Sequence, residues 1–390
     1  MIFSVMDWKQ YLEGFAKNLL NSSSFEVEEE KTKKMVKLIR RHDKNLSKNG
    51  DFSCPSNNVW QQVLQDENIC MKNENELLQI QELMLDGIEL TKKSSQIMCR
   101  LNRQAFMSKF FQEFREIKLT LNKSKSSNHK IQVQCQDKYE LTNIRCLQLQ
   151  RFCQNLLALD CLNLKIENLV ISSNSQIKQA IVVGPVLDTK SKKKSEESFL
   201  ETYKKVFNIL NSISKEREMS NQSEAKRLKN VHTVSCAEFQ FQLLSTSISQ
   251  PTFIDPKAAK NATFVLYNHA RICQLMQSID YEQNDEDRDI NVELLKEEEE
   301  WELVFAFLSN YLNLLQDMFE FQNDIKVVRL CQFLINMCNV FSRYYNRVHI
   351  IKEVEHLKPV QDARMHLVSV IRKILEHGLM LLDIPSLGLM

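Results

Sequence analysis

Tyr267 and Arg271 stand four residues apart in FVLYNHARI (264–272), a spacing that puts both on one face of a helix. His269 lies between them, and Phe264, Ala270 and Ile272 supply an apolar lining. A tyrosine plane backed by a guanidinium can stack on and hydrogen-bond an unpaired RNA base. The same residues also describe an ordinary half-buried helix whose arginine makes a surface ion pair. Spacing alone leaves both readings open.

Other chemistry is harder to place. The eight histidines fall at 42, 129, 232, 269, 349, 356, 366 and 377, and none sits in H-E-x-x-H or H-x-G-H. The six glycines, at 14, 50, 87, 184, 378 and 388, are too far apart for G-x-G-x-x-G, a Walker loop or G-x-S-x-G. A backbone phosphate cradle needs glycine for positive φ and close approach, so a glycine-rich nucleotide loop is excluded. NKSKSS (122–127) shares Ser124-Lys125-Ser126 with the KMSKS loop of class I aminoacyl-tRNA synthetases, a match that chance supplies in such a loop. Eleven cysteines without any C-x-x-C point away from zinc ribbons and disulfide frameworks. They read as reduced thiols in a cytoplasmic protein. No apolar run of 18 residues exists, so no membrane partner is expected. No cofactor, metal or catalytic residue is expected either.

Three regions must position whatever site exists. Residues 1–125 read as mainly helical, with 3.6-residue periodicity in VMDWKQYLEGFAKNLL and NELLQIQELMLDGIEL. Between them KTKKMVKLIRRHDKNLSK (31–48) sets eight Lys/Arg against one Asp, either a solvated helix face or a phosphate contact surface. Residues 126–250 read as a small α/β region. IQVQC (131–135), KIENLVI (165–171), QAIVVGPV (179–186) and VHTVSC (231–236) look like strands, alternating with helices such as NIRCLQLQRFCQNLLALD. Residues 251–390 read as all-α, with long amphipathic helices over 300–319, 325–352 and 361–384. In the second of these, Leu330, Leu334, Met337, Phe341, Tyr344 and Val348 form an apolar stripe. Asn336, Asn339, Arg343, Asn346 and Arg347 form the opposite, RNA-competent face.

A net charge of +1 selects no polyanionic partner, so any nucleic-acid footprint must be local. From 257 to 390 the sequence holds 14 Lys/Arg and 20 Asp/Glu, but 280–302 alone holds 12 of the acids and 2 of the bases. Without that acidic insert the helical body carries 12 positive against 8 negative charges. The insert itself reads as an exposed loop with a helix starting near Val292.

FVLYNHARI, LCQFLINMCNVFSRYYNRVHII (330–351) and MHLVSVIRKILEHGLMLLDI (365–384) occur in this order over the last third of the chain. Together they resemble the DALR anticodon-binding domain of arginyl-tRNA synthetases. The resemblance implies anticodon-loop contacts from Tyr267, Arg271, Tyr345 and the terminal Met390. Arg343, Asn346 and Arg347 join them as tRNA-binding candidates on the polar helix face. YELTNIRCLQLQRFCQNLLALDCLNLKI (139–166) resembles the synthetase segment that carries H-x-G-H, with Glu140, Thr142 and Asn143 in place of that motif's residues. The fold implied is therefore mixed: a degenerate α/β class I synthetase-like remnant followed by an all-α DALR bundle. The family implied is the DALR-domain proteins without synthetase activity. Such a protein would recognise arginine tRNA, not DNA. It would deliver that tRNA to an S-adenosylmethionine-dependent methyltransferase that forms 3-methylcytidine in the anticodon loop. A divergent arginyl-tRNA synthetase and a helical scaffold without RNA are the alternatives.

Overall fold

The computed structural model describes residues 7–19, 29–65, 70–91, 96–121, 130–135, 138–159, 168–177, 179–216, 223–258, 260–279, 290–318, 325–351 and 354–386. The fold is mixed, and two compact units share the chain. Residues 1–117, 287–313 and 347–364 make the first, and 118–286, 314–346 and 365–390 the second. The units therefore cut across the 251–390 segment. Long helices are labelled α1–α8 below.

The first unit is less helical than the periodicity of 1–125 implies. Strands β1 (Arg40–Arg41), β2 (Phe52–Pro55), β3 (Leu85–Thr91) and β4 (Gln96–Leu101) form an antiparallel sheet in the order β1-β2-β4-β3. β3 lies inside the stretch NELLQIQELMLDGIEL. There the helix Glu74–Leu78 and the 3-10 turn Gln81–Leu83 give way to strand at Met84, whose φ of 49° no helix can contain. Helix α1 (Trp8–Leu19) lays Trp8, Tyr11 and Phe15 around Phe52, with ring centroids 4.9–6.1 Å apart. Helix α2 (Arg103–Arg115) buries Phe106, Phe110 and Phe114 in the same unit.

Two charged stretches are structural here. Within the basic run 31–48, Arg41 turns inward between the rings of Trp8 and Phe305, 4.6 and 4.4 Å from their centroids. Its guanidinium donates to the Phe305 carbonyl, Ser309 and Asn310. The expected single helix over 300–319 is broken: helix Glu298–Glu302 passes into the π-helical segment Leu303–Phe307, then a 3-10 turn Leu308–Asn310 and helix Tyr311–Asp317. The wide turn leaves the Phe305 carbonyl to be shared by Arg41 and the Ser309 hydroxyl.

The expectation of an exposed acidic loop is corrected over 290–302; residues 280–289 lie outside the described ones. A 3-10 turn does begin at Val292. Beyond it, Glu297 and Glu300 cap the short helix reciprocally. The Glu300 side chain is fully buried, and Arg364 Nε donates to its Oε1 at 2.9 Å. Trp301, also fully buried, donates from Nε1 to Asp51 Oδ1 at 2.8 Å. Each buried acid has a partner supplied from far away in sequence, which composition does not reveal.

In the second unit β5 (Lys130–Gln134), β6 (Asn168–Ser172) and β7 (Ala180–Val182) form the expected parallel sheet. β8 (Val186–Leu187) pairs in parallel with β9 (Thr252–Phe253). Helix α3 (Glu140–Leu157) follows β5 as expected, and α4 (Phe199–Glu216) precedes α5 (Glu224–Leu244). VHTVSC is no strand: it lies inside α5. Ser223 caps that helix, and buried Arg227, Val231, Val234, Glu238 and Phe241 keep a helical spacing that outweighs six β-prone residues. Nor are all eleven cysteines reduced. Cys135 and Cys146 form a disulfide, because the end of β5 meets α3 with a Cα–Cα distance of 6.9 Å.

Gly184 is where backbone meets backbone. A Cβ there would stand 2.3 Å from the Gln250 carbonyl oxygen, while Gly184 N–H donates to Ile248 O at 2.7 Å. Gly184→Ala must push the 248–250 loop away and should cost about 1–3 kcal/mol in urea unfolding. A loss below about 0.5 kcal/mol would show that the loop yields freely.

Helices α6 (Asn261–Ser278), α7 (Val327–Arg347) and α8 (Lys358–Leu381) follow the C-terminal expectation closely. Leu330, Leu334, Met337, Phe341 and Tyr344 are fully buried and Val348 nearly so. Asn336, Asn339, Arg343, Asn346 and Arg347 are exposed.

Candidate nucleic-acid interface

Helix α6 divides FVLYNHARI between a buried face and an exposed one. Val265, Leu266, Asn268, His269, Ala270 and Ile272 are buried, while Tyr267 is 47% exposed and Arg271 half-buried. His269 faces inward and meets Glu376 of α8, Nε2 to Oε1 at 3.0 Å. It takes no part in the outer face. Among the described residues Arg271 makes no ion pair; its guanidinium carbon lies 4.6 Å from the Tyr267 ring centroid and 4.6 Å from that of Tyr345 on α7. Nη2 donates to the Tyr267 hydroxyl at 2.6 Å. Nη1 has no hydrogen-bond partner and is shielded between the rings. Tyr345 in turn rests on Phe341, ring centroids 6.0 Å apart.

The result is a column of ring, cation and ring joining α6 to α7. A cation held between two quadrupoles is worth more than either contact alone, and it fixes both tyrosine planes. The outer face of Tyr267 is then a rigid, open π-surface, the geometry on which an unstacked base can rest. Arg343 and Asn346 are exposed on the same α7 as Tyr345. Arg347, in the first unit, is already engaged: its guanidinium donates to Glu299 at 2.9 Å and to Glu297 at 2.6 Å. Those two carboxylates push its pKa up. Met390 lies outside the described residues.

Residues 265–390, which contain this column, match the family model of the DALR anticodon binding domain. Over these residues the chain is similar to a DALR anticodon-binding domain. Mouse DALR anticodon-binding domain-containing protein 3 is 30% identical over 176 residues, covering 40% of this chain and 32% of the mouse protein. The arginine–tRNA ligase of Prochlorococcus marinus strain MIT 9312 is 30% identical over 127 residues, 32% of this chain and 19% of the ligase. Among solved structures, Thermus thermophilus arginyl-tRNA synthetase is similar over 67% of this chain and 41% of its own, at 16% identity and a TM-score of 0.47. The chain spans about a third of the length of the mouse relative.

Two structural features of the DALR domain have no single-residue signal in the sequence. Tyr345 lies beyond the reach of any local spacing from Arg271. The Glu376 partner of His269 is 107 residues away.

Proposed function

We propose that this protein binds arginine tRNA through the anticodon loop, with one base stacked on Tyr267. We propose further that it presents this tRNA to an S-adenosylmethionine-dependent methyltransferase that forms 3-methylcytidine there, in the cytoplasm. The observation that carries the reading is the Tyr267–Arg271–Tyr345 column within a DALR domain. Binding both tRNA and enzyme raises the local substrate concentration without any catalytic group of its own.

A synthetase is the rival. In the segment that would hold its motif, Thr142 is buried and its hydroxyl accepts from Val186 N–H at 3.2 Å. That side chain supports the start of β8, which favours the non-catalytic reading. ATP–pyrophosphate exchange by the purified protein is expected to be absent.

The test of the binding face is Arg271→Ala. Without Arg271 the Tyr267 plane is no longer held for the base, a stacking contact worth about 1–3 kcal/mol, so affinity for arginine tRNA should fall up to roughly ten- to a hundredfold. Affinity for an unrelated tRNA should change less. Because the guanidinium also links α6 to α7, a stability loss of about 1–2 kcal/mol accompanies it. Unchanged tRNA affinity of the folded variant would reduce the column to a packing device. With methyltransferase added, 3-methylcytidine formation should require this protein and drop in the variant; equal yields without it would remove the delivery role.

A further inference from the structure

We infer that His269, Cys273 and Glu376 form a three-donor binding site for a zinc-class divalent cation. His269 and Cys273 share one face of α6 by their i, i+4 spacing, and Glu376 reaches them from α8. Their donor atoms all lie within 4.8 Å of one another. His269 Nε2 stands 3.0 Å from Glu376 Oε1 and 3.8 Å from Cys273 Sγ. Donors around a tetrahedral zinc stand roughly 3.3–3.6 Å apart, given metal–ligand bonds of roughly 2.0–2.3 Å. The two separations from His269 bracket that value, and the 4.8 Å bound on all three pairs leaves rotation of the half-exposed Cys273 and Glu376 side chains to close the set around a cation.

The donor set selects the metal. One thiolate, one imidazole nitrogen and one carboxylate oxygen suit zinc, whereas magnesium and calcium take oxygen alone. His269 is 2% exposed, while Cys273 and Glu376 are half-exposed, so the site has a rigid inner wall and an entry. Three protein donors leave a fourth position for water. On binding, the Cys273 thiol gives up its proton, and His269 coordinates as neutral imidazole. The thiolate and carboxylate then supply two negative charges against the cation. Arg372 Nη1, 3.9 Å from Glu376 Oε1, opposes the metal's charge and also orients the carboxylate. The cation would tie α6, on the side away from Tyr267 and Arg271, to the closing helix α8. Neither that function nor RNA binding is needed for the site to exist.

The test uses the full chain stripped of metal and titrated with Co(II), then Zn(II). One equivalent of Co(II) should produce a thiolate-to-cobalt charge-transfer band with visible bands of tetrahedral intensity. Zn(II) should displace it and raise Tm. Cys273→Ser should lose the charge-transfer band and bind Zn(II) at least about tenfold more weakly. Glu376→Gln should keep the band and weaken binding. In the unaltered protein, Zn(II) should protect Cys273 from alkylation while leaving the exposed Cys70 reactive, read by mass spectrometry. Absence of saturable binding, a band that persists in Cys273→Ser, or Cys273 alkylated equally with and without Zn(II) would each overturn the assignment.

Discussion

Glu300→Ala is expected to lower the unfolding free energy by about 3–5 kcal/mol. The carboxylate it removes is wholly inaccessible, and Arg364, 8% exposed, loses its 2.9 Å partner. What remains is a guanidinium anchored by the His349 carbonyl at 3.2 Å and by Glu297 at 3.4 Å, both poorer contacts. The cost comes from stranding a buried charge more than from losing an attraction. A double variant, Glu300→Leu with Arg364→Met, removes both charges and should recover most of the loss. Arg347→Ala, which breaks only solvent-exposed pairs with Glu297 and Glu299, should change stability little. Urea unfolding followed by the fluorescence of the three tryptophans, Trp301 among them, reads all three variants. Equal losses in Glu300→Ala and Arg347→Ala would show that water reaches the buried pair.

The same pair explains what the sequence hides. An acidic run looks like a solvated loop because composition records charge without partners. Arg347 and Arg364 lie roughly fifty and sixty residues downstream, and nothing local announces them. Periodic signals fare better. The α7 stripe from Leu330 to Tyr344 repeats often enough that one helix face had to be buried, and it is. VHTVSC misleads for the opposite reason: six residues are too short a window, and the longer period of α5 overrides them. At the candidate interface the i, i+4 spacing of Tyr267 and Arg271 gave two members of the column. The third came through resemblance, since only the crossing of α6 and α7 brings Tyr345 to Arg271.

Arg145→Met is expected to cost roughly 4 kcal/mol or more, as several charge-assisted hydrogen bonds go at once. Arg145 is fully buried on α3, and burial pulls its pKa down to about 10. Its guanidinium donates to five carbonyls: Leu243 at 2.9 Å, Gly184 at 2.8 Å, Gln250 at 2.7 Å, Ser247 at 3.0 Å and Thr246 at 3.4 Å. Methionine fills a similar volume but leaves these acceptors unpaired, and the loop that Gly184 touches loses its anchor. Arg145→Lys restores charge and three donors from a single point, which cannot span carbonyls set around a planar fork, so it should recover only part. Urea unfolding of both variants gives the two losses, and a loss below about 1 kcal/mol for Arg145→Met would mean that water replaces the guanidinium. The position gives the result its functional weight. Arg145 lies three residues after Thr142, on the helix that would carry a synthetase's histidines, and both side chains are spent on holding the 184–186 and 243–250 segments. With Thr142 and Arg145 both engaged in support, loss of either is expected to be read in stability, whereas the proposed tRNA contact is tested separately at Arg271 on α6.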